Sequence, residues 1–136
     1  MTPNDVGHAV KRLQHRHHRA ANKALAEHGL SIVQWDVLRH LAREPDASSH
    51  RLAELTFQTD QSFGTLATRM VDAGLIERIA GPGRVVRHRI TKEGERLRGI
   101  AGKTIDKMIK KSFAGITQAE LDQLGALLDK VLDTDL

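Results

Sequence analysis

The sequence predicts a mainly α-helical chain interrupted by one small β-hairpin, and three observations carry that expectation. Aromatic residues make up only 3% of the 136 residues, so the core must be built from Leu, Ile, Val and Ala, which suits packed helices. Apolar positions recur at helical spacing in a succession of segments along the chain. Late in that succession, a run on either side of Gly81-Pro82-Gly83 changes to strand period.

The first segment runs from Pro3 to about His28. Val6, Val10, Leu13, His17, Ala20 and Ala24 are spaced alternately by four and three, which makes one narrow helical seam. Gly29 ends it as a C-terminal cap. Ser31 and Gln34 form a capping box for a second helix, with Trp35, Leu38 and Leu41 on its apolar face and Pro45 past its end. Ser48 or Ser49 caps a short third helix in which Leu52 and Leu55 face inward. Asp60 reads as the next cap, for a helix from Gln61 to Ala73 with Phe63, Leu66, Ala67 and Met70 on its inner face. Gly74 stops that helix, and Leu75 to Ile79 and Val85 to Ile90 read as the two strands of the hairpin. Thr91 opens a long helix to about Phe113. Its Gly94, Gly99 and Gly102 each cost about 1 kcal/mol relative to Ala, which points to a close backbone approach or a bend. Thr117 with Glu120 is a second capping box, and the last helix carries Leu121, Leu124, Leu127, Leu128 and Val131.

Charge narrows the class of partner. Lys and Arg number 21 against 17 Asp and Glu, a net charge of +4 that favours a polyanion. Residues 117–136 hold five acids and one base, so the rest of the chain carries 20 bases against 12 acids. The absence of cysteine excludes disulfides and thiolate metal sites. Met1 to Gly7 lacks the apolar core of a signal peptide, and no stretch approaches the roughly 18 apolar residues of a membrane span. The expectation is a soluble cytoplasmic chain with no membrane partner.

Enzyme chemistry finds no support. The sequence has no His-Glu-x-x-His zinc helix and no Gly-x-Ser-x-Gly elbow. Gly81-Pro82-Gly83-Arg84 is not a phosphate loop, because no Lys-Ser/Thr opens a following helix. His15, His17 and His18 cluster, but Arg12, Arg16 and Arg19 surround them and disfavour a bound cation. No metal and no cofactor is expected.

Arg51 to Ala73 reads as a helix-turn-helix: a short helix, a turn around Gln58-Thr59-Asp60, and a longer helix. Opposite Phe63, Leu66 and Met70, its outer arc holds Gln61, Ser62, Thr65, Thr68 and Arg69. Gln can pair with adenine, Arg with guanine, and a Thr methyl can meet thymine. Taken alone, this arc is equally the polar outside of an ordinary amphipathic helix. The hairpin adds weight, since Arg78 to Lys92 contains five bases and no acid. Strand alternation puts Val86, His88 and Ile90 on one face and Arg87 and Arg89 on the other, with Arg84 beside the tip. Arg84, Arg87 and Arg89 are the expected wing contacts to DNA, and Ser49 and His50 the expected phosphate contacts at a helix start. The alternatives are a winged-helix module for protein contacts and a DNA-binding protein without sequence preference or ligand response.

Five motifs then occur in order: Gly29-Leu30-Ser31 with Gln34-Trp35-Asp36-Val37-Leu38, Arg51-Leu52-Ala53-Glu54-Leu55, Gly74-Leu75-Ile76-Glu77-Arg78, Arg89-Ile90-Thr91-Lys92-Glu93-Gly94, and Gly115-Ile116-Thr117 with Glu120-Leu121. Together they resemble the MarR family across essentially the whole chain. The resemblance implies one domain over residues 1–136. In it, about 1–28 and 95–136 supply dimerisation helices and about 31–92 form a winged helix-turn-helix lobe. It further implies a homodimer on a near-palindromic double-stranded DNA operator, acting as a repressor that a small-molecule effector releases. The effector would sit between the dimer helices and the DNA-binding lobe, near His17, Trp35 and Arg39. One departure stands out: Arg84 matches the family's wing Arg, but Pro82 stands where an Asp often precedes it, and the tip is short.

Overall fold

Side-chain caps set where the helices begin. In the computed structural model, which describes residues 1–81 and 83–136, Thr2, Ser31 and Thr117 each form a complete capping box, with Asp5, Gln34 and Glu120 respectively. They open α1 (Pro3–Leu25), α2 (Ile32–Arg43) and α6 (Gln118–Leu132). Ser48 caps α3 (Ser49–Leu55), and Thr91 caps α5 (Lys92–Ser112). The strands are β1 (Ile76–Ile79) and β2 (Arg87–Ile90), antiparallel, with Arg78 opposite His88 and Glu77 opposite Arg89. A single 3-10 turn, Ala26–His28, links α1 to Gly29, which takes the left-handed φ of 69° that closes the helix.

The chain is thus mainly helical with a two-stranded wing, and three boundaries differ from the sequence expectation. The cap of α4 (Asp60–Asp72) is Thr59, whose hydroxyl accepts the Ser62 amide at 3.0 Å, so Asp60 is the first helical residue. Strand β2 starts at Arg87 because the Val86 carbonyl leaves the ladder to accept the Ser49 amide at 2.9 Å. Strand β1 starts at Ile76 because the Leu75 amide is spent on the Met70 carbonyl at 3.0 Å, closing α4, and cannot return the bond from Thr91.

One apolar cluster runs from Ala21 and Leu25 of α1 through Leu38, Leu52 and Phe63 to Ile105 of α5. Gly94 is buried where α5 crosses β1, and a Cβ there would lie 2.0 Å from the Leu75 carbonyl oxygen. The close approach expected of the α5 glycines is therefore at Gly94, whereas Gly99 and Gly102 have open space beside them. Helix α6 contributes no buried residue, and Leu127, Val131 and Leu132 are 59%, 71% and 80% exposed. Val6 and Val10 of α1 are each 48% exposed. Among the described residues, no helix is long and apolar enough to cross a membrane.

Candidate nucleic-acid interface and effector cavity

Helix α4 turns Phe63, Ala67 and Met70 into the core, and the 3.6-residue period therefore leaves Gln61, Ser62, Thr65, Thr68 and Arg69 exposed. The five residues flank two clefts. Gln61, Ser62, Thr65 and Arg69 line one of about 400 Å³ together with Gln58. Thr68 lines the other, of about 500 Å³, which lies between α4 and the wing and is bounded by Ser49, Asp60, Gly64, Arg78 and His88. The Thr65 and Thr68 hydroxyls donate to the Gln61 and Gly64 carbonyls, at 3.2 and 3.0 Å. That holds their rotamers and leaves the hydroxyl oxygens as acceptors.

The register of the hairpin sorts its arginines. Arg78 pairs with His88 and shares its face, toward α4. Arg87 and Arg89 face the other way. Arg87 Nε donates to the Asp46 carbonyl at 3.0 Å, and Arg89 sits 3.8 Å from Glu77 across the ladder and lines a separate cleft with Pro45 and Arg98. Arg84 is exposed beside Gly83, whose φ of 80° makes the turn. The expectation about Pro82 lies outside the described residues. Sequence counting included Arg78 among the wing's bases but did not single it out. Its placement depends on the cross-strand register, which the chain's local pattern does not reveal.

His88 locks the wing to the lobe. It is 5% exposed, its ring meets Phe63 edge-on at 6.3 Å, and its Nδ1 lies 3.4 Å from Ser49 Oγ. Burial, helped by the Arg78 charge, holds its pKa below the ordinary 6.5. Ser49 consequently spends its amide on Val86 and its hydroxyl on His88, inside the lobe. His50 is exposed and bridges two carboxylates, Asp60 at 2.8 Å through Nδ1 and Glu54 at 2.7 Å through Nε2. The hydrogen bond and charge of Asp60, and then the charge of Glu54, raise its pKa. This bridge ties α3 to the first residue of α4, and the sequence reading did not foresee it.

A second site lies on the other side of the core. An apolar cavity of about 470 Å³ is lined by Val10, Leu13, His17, Trp35, Ile105 and Phe113, among others. His17 Nε2 is 2.7 Å from Ser112 Oγ, and its ring meets Phe113 edge-on at 5.7 Å. The Trp35 Nε1–H is buried without a hydrogen-bond partner. Of the three residues expected at an effector site, His17 and Trp35 share this cavity. Arg39 reaches it only through the Trp35 ring, 5.2 Å from its guanidinium, which is held on Asp36 at 2.8 Å.

Comparison with known proteins agrees with this architecture. A family model described as MarR family matches residues 28–84. The Escherichia coli homoprotocatechuate degradative operon repressor is 30% identical over 107 residues, covering 77% of this chain and 72% of that protein. The Pseudomonas putida HTH-type transcriptional repressor IacR is 25% identical over 128 residues, covering 90% and 74%. Among solved structures, a MarR family regulator from Rhodococcus superimposes with a TM-score of 0.87 at 24% identity, over 100% of this chain and 99% of that one. A Mycobacterium tuberculosis MarR family protein in complex with salicylic acid superimposes with a TM-score of 0.77 at 25% identity, over 96% and 97%. With the fold, the motif order and these relatives in agreement, the chain belongs to the MarR family: it is a DNA-binding winged helix-turn-helix transcriptional regulator, not an enzyme.

Proposed function

We propose that this regulator acts as a homodimeric repressor on a near-palindromic double-stranded operator and releases it when a small effector occupies the cavity beside Trp35. Residues 1–136 act as one domain in this account: about 31–92 form the DNA-binding lobe, and about 1–28 with 95–136 supply the dimer helices. The observation that carries the DNA-binding part is the outer arc of α4, where Gln61, Ser62, Thr65, Thr68 and Arg69 stand clear of the core on a helix that Thr59 caps. Arg69 reads bases from the recognition helix, while Arg84 at the wing tip and Arg78 facing the α4 cleft supply positive charge to the DNA backbone. Arg87 and Arg89 hold the hairpin against the Asp46 loop and across its own ladder. Ser49 and His50 position the start of α3 and its junction with α4.

The dimer is supported by apolar stripes on α1 and α6 that the chain itself leaves uncovered. Two such stripes related by a two-fold axis can cover each other. The effector is supported by the apolar cavity itself, walled by His17, Trp35, Ile105 and Phe113, since a ligand with an aromatic or aliphatic body would fill that space.

Sequencing the genomic fragments bound by the purified protein supplies the operator, and two variants then divide the labour. Arg69→Ala should cost about 1–3 kcal/mol on the operator and relax base preference. Arg84→Ala should weaken operator and scrambled duplex by similar factors, and Arg84→Lys should retain most affinity. Loss of operator binding with random binding spared in Arg84→Ala would show that the wing reads sequence or groove shape, against this division.

A further inference from the structure

The sequence pattern makes Asp60 the cap of α4, whereas the structure gives that task to Thr59. Its hydroxyl accepts the Ser62 amide, so the carboxylate of Asp60, on the first residue of the helix, caps nothing. Asp60 is exposed, yet its direction is fixed. Asp60 Oδ1 accepts from His50 Nδ1 at 2.8 Å, and His50 Nε2 lies 2.7 Å from Glu54 Oε1 on the other side of the ring. A ring with a carboxylate at each nitrogen is favoured in its charged form, and the hydrogen bond to Asp60 is the largest cause of its raised pKa. Among the described residues, Asp60 Oδ2 has no hydrogen-bond donor.

This carboxylate stands where a bare acid would oppose binding. A recognition helix meets base edges with its N-terminal residues, and Asp60 opens α4. At about 100° per residue, Asp60 lies about 40° from Gly64 and about 80° from Thr68 around the helix. The three line the cleft between α4 and the wing, on the edge of the outer arc. A Cβ on Gly64 would meet nothing within 4 Å, so a base edge can approach this strip without meeting a side chain. The phosphates of a bound duplex repel an acid here, and the charge of His50 offsets that repulsion. The free oxygen still needs a donor. In the major groove guanine and thymine present acceptors, and adenine sets its amino group beside the N7 acceptor. Cytosine alone presents an amino group, on N4, with no acceptor on its own edge.

We propose that Asp60 reads a cytosine in each half of the operator, Oδ2 accepting from the N4 amino group, and that His50 is the positioning residue that aims it. The inference rests on the operator reading above and adds an acid to the readout by Gln61, Thr65, Thr68 and Arg69. It has a signature that a phosphate contact lacks. Removing the carboxylate relaxes base preference and at the same time strengthens binding to DNA of any sequence, because a negative charge leaves the groove.

The test is a cycle between one side chain and one base pair, read in the full chain by fluorescence anisotropy. The duplexes are the operator recovered from bound genomic fragments, the same operator with each C·G pair replaced in turn in both halves, and a scrambled control. For the wild type, one of these replacements should cost about 5- to 150-fold in affinity through the lost cytosine contact. In Asp60→Ala that replacement should cost less than about 2-fold, and the scrambled duplex should bind about 2- to 10-fold more tightly. Asp60→Asn keeps the size of the side chain and should also lose the preference for cytosine, which keeps the test open if Asp60→Ala does not fold by circular dichroism. His50→Ala should lower the discrimination at that pair at least about threefold in the wild type and leave it unchanged in Asp60→Ala, a coupling that a merely structural histidine would not produce. If both Asp60 variants keep every base preference while Arg69→Ala relaxes one, the cytosine contact is overturned and the recognition helix stands. If none of the three shifts any preference, readout by α4 is overturned with it. Uniform weakening of operator and scrambled duplex in Asp60→Ala would make the His50 bridge a joint between α3 and α4 alone, and would overturn the proposal.

Discussion

Gly94→Ala probes the joint between the wing and α5. The added Cβ would lie 2.0 Å from the Leu75 carbonyl oxygen and 2.9 Å from Ile90 Cγ1, and the first of these is backbone that cannot rotate away. Restoring ordinary van der Waals contact needs more than about 1 Å of movement between α5 and β1. That movement strains the hydrogen bonds anchoring the joint. The Thr91 amide and hydroxyl donate to Leu75 O at 3.1 and 3.0 Å, and the hydroxyl also reaches Gly74 O at 2.6 Å. Overpacking costs about 1–3 kcal/mol, and weakening two such bonds about 1–3 kcal/mol more. Better helix propensity returns about 1 kcal/mol. The net is a loss of about 1–5 kcal/mol, a large part of the roughly 5–15 kcal/mol that holds a domain folded. Urea unfolding followed by circular dichroism measures it, with Gly99→Ala as the control. Gly99 has nothing within 4 Å, so the control should be neutral or stabilised by up to about 1 kcal/mol. Operator affinity should fall in Gly94→Ala, because α5 and the wing share the joint. Equal stability of the two variants would refute the steric reasoning.

Phe57→Gly should stabilise the chain by about 1 kcal/mol. Phe57 is 95% exposed with a φ of +56°, in a Schellman turn where Gln58 N–H reaches Ala53 O at 2.8 Å, so glycine removes strain and no packing. A destabilised Phe57→Gly would mean that the ring contributes to the free chain. Two of the lobe histidines, His88 and His50, should bend the pH profile in opposite directions. His88 has a depressed pKa, so its contribution is full above the ordinary 6.5 and is lost as pH falls, and His88→Leu should flatten the acid decline. His50 has a raised pKa, so its contribution is full below 6.5 and is lost as pH rises through the raised value, and His50→Gln should steepen the acid decline. Unfolding midpoints between pH 5 and 8 that superimpose for wild type and both variants would count against both assignments.

What was legible in the sequence was what local chemistry decides. Ser31 with Gln34 and Thr117 with Glu120 act within four residues, so their helices begin where the sequence placed them. The outer arc of α4 was legible because a helix has one period. Boundaries failed where a partner outside the ladder claims a backbone group, as Ser49 claims the Val86 carbonyl and Met70 the Leu75 amide. The same limit applies to the site. Which face Arg78 shares depends on its pairing with His88, and the partners of His50 depend on how α3 meets α4. Nothing in the residues around Phe57 announces a left-handed turn, since the position that favours glycine holds an aromatic.

Charge gives the last link, because the chain's net +4 and the charge available to DNA are different quantities. Near the recognition surface, among the described residues, Arg69, Arg78 and Arg84 have neither an ion pair nor a hydrogen-bonded anchor, whereas Arg89 is held by Glu77 and Arg87 by the Asp46 carbonyl. Arg78 and Arg84 as phosphate contacts make four in a dimer, and counting the base-reading Arg69 makes six, so counterion release sets a log–log salt slope of about −4 to −5 for the operator. If the α1 and α5 cations also reached phosphates, the slope would approach −10 or beyond. A salt titration of operator binding therefore measures where the positive charge of this chain is used. A slope near −5 keeps the α1 and α5 cations out of the DNA contact. A slope near −10 would contradict the assignment of DNA contacts to the lobe alone.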